Sequence, residues 1–479
     1  MAADRNGAKR RLGAGTLTLY GSGALVETVV NFALGQFLLF YLTLVCGLSG
    51  SMAGLVGLLS LTLDAFVDPL VGSWSDGIRS RWGRRHPFVI LAGLPTGVSL
   101  TILFTAPAAM HGTGLFVAAV VLSLLVRIAL SCFQVPYFAL GAELSQDYVE
   151  RSTIVSARVA FGVVGTLAAT ALSYGYFLAG DHGTMRKAAY VPLMASFGAI
   201  ALIGSLASGL GTLSSRHRLH APPPPVAGRL KALVAEIKEI FANRSFRVLF
   251  SAILLFFVAQ GVAGPLTLYA NTYFWKISTL QIRDLTFVFT GGLFVGVIVT
   301  AIASRWLEKR TVALTGLFMF ITAQLVPAPL RAAGLIRTPA EVMAILAAAV
   351  ILLGLGTSAA LIGYQSMMAD AADEHEHLFQ ARREGLYFAG INFSAKASSG
   401  LGVLIAGLVL DLIGFPHGTA ATLDHLTVPA QTVLDLGLIY GPGAAVLSAI
   451  SVTILFAYRL DRARHGAILE ALGRRSEPM

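Results

Sequence analysis

The sequence predicts an all-α polytopic membrane protein, with twelve transmembrane helices in two six-helix bundles. Three observations carry that prediction. The 479 residues are 56% hydrophobic and only 13% charged, with mean hydropathy +0.74, whereas soluble domains carry nearer a quarter charged residues. Twelve apolar runs are each long enough to cross the bilayer as a helix. One wide polar interval, 214–245, separates the first six runs from the last six. The runs are continuous rather than alternating, which argues for helices over a barrel.

In chain order, the first run, 16–46, is too long for a removable signal peptide and lacks a small-residue cleavage site, so it is expected to remain as a span. Runs 53–77, 88–109, 113–145, 152–180 and 187–213 complete an N-terminal bundle, 1–213. The interval 214–245 reads as a cytoplasmic linker, with the run Pro222 to Pro225 followed by the amphipathic stretch KALVAEIKEIF. Runs 246–275, 284–305, 311–330, 339–371, 384–414 and 433–458 form the second bundle, 246–458, and 459–479 is a cytoplasmic tail. The second and eighth runs both end in a basic turn, WSDGIRSRWGRRHP and ASRWLEKR, as an internal repeat would.

Twelve spans put both termini on one side. With the N-terminus cytoplasmic, 26 of the 35 Lys and Arg fall in cytoplasmic segments and 6 in exterior loops, the bias expected of a cell-membrane protein. Topology and anionic headgroups therefore account for the net charge of +10, and no nucleic-acid partner is needed. Cys46 and Cys132 are the only cysteines, which leaves no disulfide framework and no metal cluster; both read as packing residues. No nucleophile elbow, P-loop, HExxH or glycine fingerprint has its required context, so nothing points to an enzyme or an ATP-driven pump.

The informative residues are the polar ones at bilayer depth, where each acid costs about 2.5–3.5 kcal/mol to insert. Asp64 and Asp68 lie one turn apart on one face of the second run. Two carboxylates so placed repel, and need a proton, a bound cation or a cationic side chain. Their hard oxygens suit Na⁺ or H⁺; a buried structural network is the alternative. Glu27 and Asn31 share a face of the first run, either as solute or proton contacts or in a structural ion pair. Arg127, Ser131 and Gln134 form a stripe on the fourth run. Ser131 and Gln134 offer neutral oxygens to a cation, while Arg127 is a possible internal counter-charge to the aspartates. Arg158 on the fifth run and Lys396 on the eleventh complete the set; Lys396 faces an anion, a solute oxygen or water, or else balances Glu27. His375 and His377, in DAADEHEH, read as part of a solvated acidic loop rather than a metal site.

The stretch DAFVDPLVGSWSDGIRSRWGRRHP, 64–87, closely resembles the signature of the glycoside–pentoside–hexuronide:cation symporters, a branch of the major facilitator superfamily. Supporting matches are YGSGALVE at 20–27, FQVPYFAL at 133–140, SARVAFG at 156–162, and MMADAADEHEH to FSAKASSG at 367–400. The resemblance implies the major facilitator fold, Asp64 and Asp68 as cation-site carboxylates, and Ser131 as a hydroxyl ligand. It implies that Glu27 and Arg158 contact sugar and that Lys396 is functional. Gln134 stands where sugar-carrying members have an aspartate that touches cation and sugar, and Phe138 where they have a stacking tryptophan; the fourth run resembles that of the family's lysophospholipid carriers.

The expected function is secondary active transport by alternating access. The cargo is a sugar or glycoside moved in symport with Na⁺ or H⁺, and no cofactor is required. The cation would bind at Asp64, Asp68, Ser131 and Gln134, and the solute at Glu27, Asn31, Arg158, Gln134, Phe138 and Lys396. A lysophospholipid or other amphiphile is the alternative cargo, and a non-transporting membrane sensor the alternative class.

Overall fold

A computed structural model describes residues 12–145, 147–180, 183–214, 229–381, 383–418 and 428–473. Among them, twelve helices are long and apolar enough to cross a membrane. The first six spans are Ala14–Val45, Gly50–Gly77, His86–Leu103, Gly112–Leu144, Val149–Phe177 and Lys187–Thr212. The second six are Arg244–Phe274, Thr279–Ala303, Lys309–Ala332, Pro339–Phe379, Glu384–Leu412 and Ala430–Leu455. A linker helix, Arg229–Ala242, and a tail helix, Arg462–Ala471, join them. The Pro222 to Pro225 run lies outside the described residues.

Two span ends depart from the sequence reading. The third span stops at Leu103 rather than 109, since Pro107 has no N–H to continue the ladder and starts a short 3₁₀ turn instead. The tenth runs on to Phe379, through the segment read as a solvated loop, and ends where Gln380 turns left-handed at φ 55°. Its Ala and Glu residues are strong helix formers, and its charges meet partners on other helices. His375 is fully buried, 3.0 Å from Glu239 of the linker helix. Arg383 pairs with Glu236 of that helix at 2.8 Å. The tail helix approaches the same segment, with Arg464 3.2 Å from Glu374 and His465 3.1 Å from Asp373.

The chain divides into two compact units. The first holds the described residues within 1–34, 63–177 and 187–223. The turn after its second span is built into the fold as well as basic: Arg84 binds Glu143 of the fourth span at 2.6 Å, and Arg85 donates to Ser75 at 2.7 Å. The second unit holds those within 35–62, 178–186 and 224–479. There Lys309, the first residue of the ninth span, binds Asp370 of the tenth at 2.6 Å. In each half of the chain a basic residue between the second span and the start of the third is thus paired with an acid of the fourth span.

A second correspondence lies wholly within the second unit. The first span ends in a π-helical turn, Tyr41–Val45, and the seventh in another, Ala270–Phe274. Cys46 N–H donates to Tyr41 and Trp275 N–H to Ala270, at 3.0 and 2.8 Å. Gly47 and Lys276 follow with positive φ, at 81° and 54°. Ser49 and Ser278 then sit just ahead of the next helices. The core of this unit is aromatic, centred on Phe246, Phe256, Phe320, Tyr364 and Tyr387.

Candidate functional site

Asp64 is 5% exposed and Ser131 is 2% exposed. The Ser131 hydroxyl donates to Asp64 Oδ1 at 2.8 Å, which ties the second span to the fourth. Asp68 follows one turn along and is half-buried. Such a carboxylate is tolerable at depth only with partners, and Ser131 supplies one to Asp64. Because the serine hydrogen is committed to the carboxylate, its lone pairs are left for a cation.

Arg127 is one turn from Ser131 on the same face. Its Nη1 donates to Asn31 Oδ1 at 3.2 Å, and its charge acts on both Asp64 and Asp68. Asn31 is in turn one helical turn from Glu27. The polar stripes that the sequence placed on separate spans are therefore joined by two bonds, Arg127 to Asn31 and Ser131 to Asp64.

From Ser131 the fourth span carries a second branch. Gln134 and Phe138 follow at helical spacing, both half-buried. The Arg158 guanidinium lies over the Phe138 ring, 4.4 Å from its centroid. The charges of Arg158 and Glu27 both act on the Tyr20 hydroxyl. The branch thus returns to the first span, and all of these residues lie in one unit.

Tyr20 and Tyr137 pack against each other next to Phe138, and sequence reasoning did not single them out. Their rings stack with centroids 4.7 Å apart at 21°. The Tyr137 hydroxyl donates to the Tyr20 carbonyl at 2.9 Å, and the Tyr20 hydroxyl to the Tyr137 carbonyl at 3.5 Å. Both sit inside stretches that carried the family resemblance. The available signal was physical: a tyrosine deep in an apolar span needs a partner for its hydroxyl.

A family model described as MFS/sugar transport protein matches residues 19–462. The chain belongs to this family. It is 24% identical to an uncharacterized symporter of Synechocystis sp., across 96% of this chain and 97% of that one. It is also 24% identical to the isoprimeverose transporter of Lactiplantibacillus pentosus, across 90% of this chain and 86% of that one. Among solved structures, a D-xylose–proton symporter superposes with TM-score 0.62 at 13% identity, covering 93% of this chain and 97% of that chain. The fold is the major facilitator fold, and the protein is a multi-pass secondary transporter of the symporter type, with relatives on the glycoside–pentoside–hexuronide branch.

The remaining expected residue of this MFS protein, Lys396, is half-buried on the eleventh span and belongs to the second unit. Tyr387 of the same span is fully buried against Phe246 and His375, with ring centroids at 4.8 and 5.5 Å. It serves the packing between the span and the tenth helix. Cys46 is buried and Cys132 half-buried, and both are free thiols.

Proposed function

We propose that this protein is a cell-membrane symporter with both termini cytoplasmic, carrying a sugar or glycoside inward together with one monovalent cation. Asp64 and Asp68 hold the cation, with Ser131 and Gln134 adding neutral oxygens. Glu27, Asn31 and Arg158 supply polar contacts to the solute. Phe138, with Tyr20 and Tyr137 behind it, supplies the apolar ring on which a sugar face packs. The relatives named for isoprimeverose and glucuronide transport support a glycoside cargo.

The observation that carries this reading is the Ser131–Asp64 hydrogen bond at 2.8 Å. It ties Asp64 to the helix face that also carries Gln134 and Phe138, so an ion that rearranges this carboxylate bears on the solute contacts. A ligand shifts a conformational equilibrium only by its differential affinity for the two states. Relief of the carboxylate repulsion is such a differential term, and it is reciprocal between ion and solute.

The test is uptake into proteoliposomes of radiolabelled isoprimeverose, a methyl glucuronide, D-xylose and lysophosphatidylcholine, each with Na⁺, Li⁺ or a proton gradient. Cation-stimulated uptake of a sugar, lost in Asp68→Asn, is the expected result. Uptake of the lysolipid alone would replace the cargo. Undiminished sugar uptake in Asp68→Asn, with the same cation response, would overturn the coupling role.

A further inference from the structure

We propose that Arg127 is a tethered counter-cation that sets the affinity of the acidic pair for an alkali cation. The proposal rests on the reading of Asp64 and Asp68 as the cation site and goes further, by assigning the residue that regulates it. Three observations place Arg127 there. It lies one turn from Ser131, whose hydroxyl bonds Asp64 Oδ1 at 2.8 Å, and its charge acts on both aspartates. Its Nη1 is held by Asn31 at 3.2 Å, so the guanidinium is tied to the first span. Its Nε is buried and has no hydrogen-bond acceptor among the described residues, so the donor fork is not saturated in this position.

The consequence follows from charge. Two ionised aspartates alone would present −2 to an arriving cation; with Arg127 beside them the set presents −1. A guanidinium does not lose its proton in proteins, so this offset is permanent. An alkali cation needs several oxygens at once, and the positive charge of Arg127 opposes its arrival at the two carboxylates. Ion entry therefore works against a fixed charge. The cation takes Asp64, Asp68 and the free lone pairs of Ser131, while the guanidinium stays tethered to Asn31. Away from the span ends, where Asp76, Glu143, Glu150 and Arg151 lie, the charged groups on the four spans that build the site are Glu27, Asp64, Asp68, Arg127 and Arg158; Arg158 is engaged over Phe138, which leaves Arg127 as the cation of the acidic pair.

The experiment needs no identified solute. Purified full-length protein is titrated with NaCl and LiCl, with choline chloride holding ionic strength constant, and its thermal unfolding is followed. A ligand that binds the folded state stabilises it by mass action, so the midpoint of the shift reports affinity. Wild type, Arg127→Gln, Arg127→Met, Arg127→Lys and Asp68→Asn are compared.

The neutral variants Arg127→Gln and Arg127→Met are expected to lower the half-saturating concentration of Na⁺ or Li⁺ at least tenfold. Arg127→Lys, which keeps the charge, is expected to stay within threefold of wild type. A response in the neutral variants where wild type shows none also supports the proposal. Titrations of the neutral variants that match wild type within twofold overturn it, and leave the acidic-pair reading standing if Asp68→Asn has lost the response. An Asp68→Asn protein that titrates like wild type overturns the acidic-pair reading itself and the proposal with it. Absence of any cation-specific shift in every protein has the same effect.

Discussion

Asp411 caps the second span at Gly50. Its Oδ1 accepts the Gly50 N–H at 2.7 Å, and its Oδ2 accepts the neighbouring Ser51 N–H at 2.8 Å. The carboxylate comes from the eleventh span, so a distant helix satisfies amides that have no partner within their own helix. Negative charge at a helix N-terminus is favourable as well. Asp411→Ala should lower the stability of the folded protein by about 1–2 kcal/mol, as lost N-caps do. Asp411→Asn, which keeps one acceptor oxygen but no charge, should fall between the two. Thermal unfolding in detergent measures both, and an Asp411→Ala protein as stable as wild type would show that the cap contributes nothing.

The clasp between Tyr20 and Tyr137 depends on a missing side chain. A Cβ at Gly141 would fall on the Tyr20 hydroxyl. Gly141→Ala should therefore cost about 1–3 kcal/mol through overpacking. The penalty should shrink when Tyr20 is truncated to Ala in the same protein, because residues in contact are not additive. Full additivity in that double-mutant cycle would place the strain elsewhere.

The Arg158 guanidinium carbon lies over the Phe138 ring, 4.4 Å from its centre. Lysine has a point charge and no plane to stack. A cation–π contact is worth roughly 0.5–2 kcal/mol. Arg158→Lys and Phe138→Ala should each weaken binding of a transported solute about 3- to 30-fold, measured as KM in the uptake assay. Unchanged KM in both variants would remove the pair from the solute site.

The two π turns differ in the residue that follows them. Gly47 takes φ 81° at no steric cost, whereas Lys276 holds φ 54° against its own Cβ. Lys276→Gly should stabilise the protein by roughly 1 kcal/mol, the strain of a left-handed non-glycine residue. Gly47→Ala should destabilise it by a similar amount. Parallel thermal melts would check both signs at once.

Glu239 holds His375, which is buried at the end of the tenth span, and Glu236 holds Arg383. Removing the first contact with Glu239→Gln or His375→Ala should free the linker helix. Limited proteolysis should then cut within 229–242 several-fold faster than in wild type, with the spans themselves remaining protected. Equal cleavage rates would mean that apolar packing alone holds that helix.

The linker contact also marks the limit of what the sequence could convey. All twelve spans were legible, because a bilayer demands a long apolar run and little else produces one. Asp64 and Asp68 stood out for the complementary reason, that acids are costly there. Their spacing on one helix face was legible too. The link from Asp64 to Ser131, and from Asn31 to Arg127, joins different spans, and no single-helix pattern encodes it. DAADEHEH misled because a run of charges ordinarily faces water. Here each partner comes from far along the chain: Lys309, Glu239, Arg464 and His465. Tyr20 and Tyr137 were hidden by composition, since an aromatic residue in an apolar span looks like any other core residue until its hydroxyl is asked for a partner.

The paired connections after the first and seventh spans are alike in backbone and unlike in side chains. Across 41–49 and 270–278 the two segments share only Thr43 with Thr272 and Ser49 with Ser278, yet they repeat the same wide turn and the same reversal of backbone hand. Such agreement of shape without agreement of letters is what an internal structural repeat shows. The path of the connection is held in common while nearly every side chain along it differs. Where Lys276 stands opposite Gly47, the second segment keeps the bend and carries the strain of a left-handed lysine.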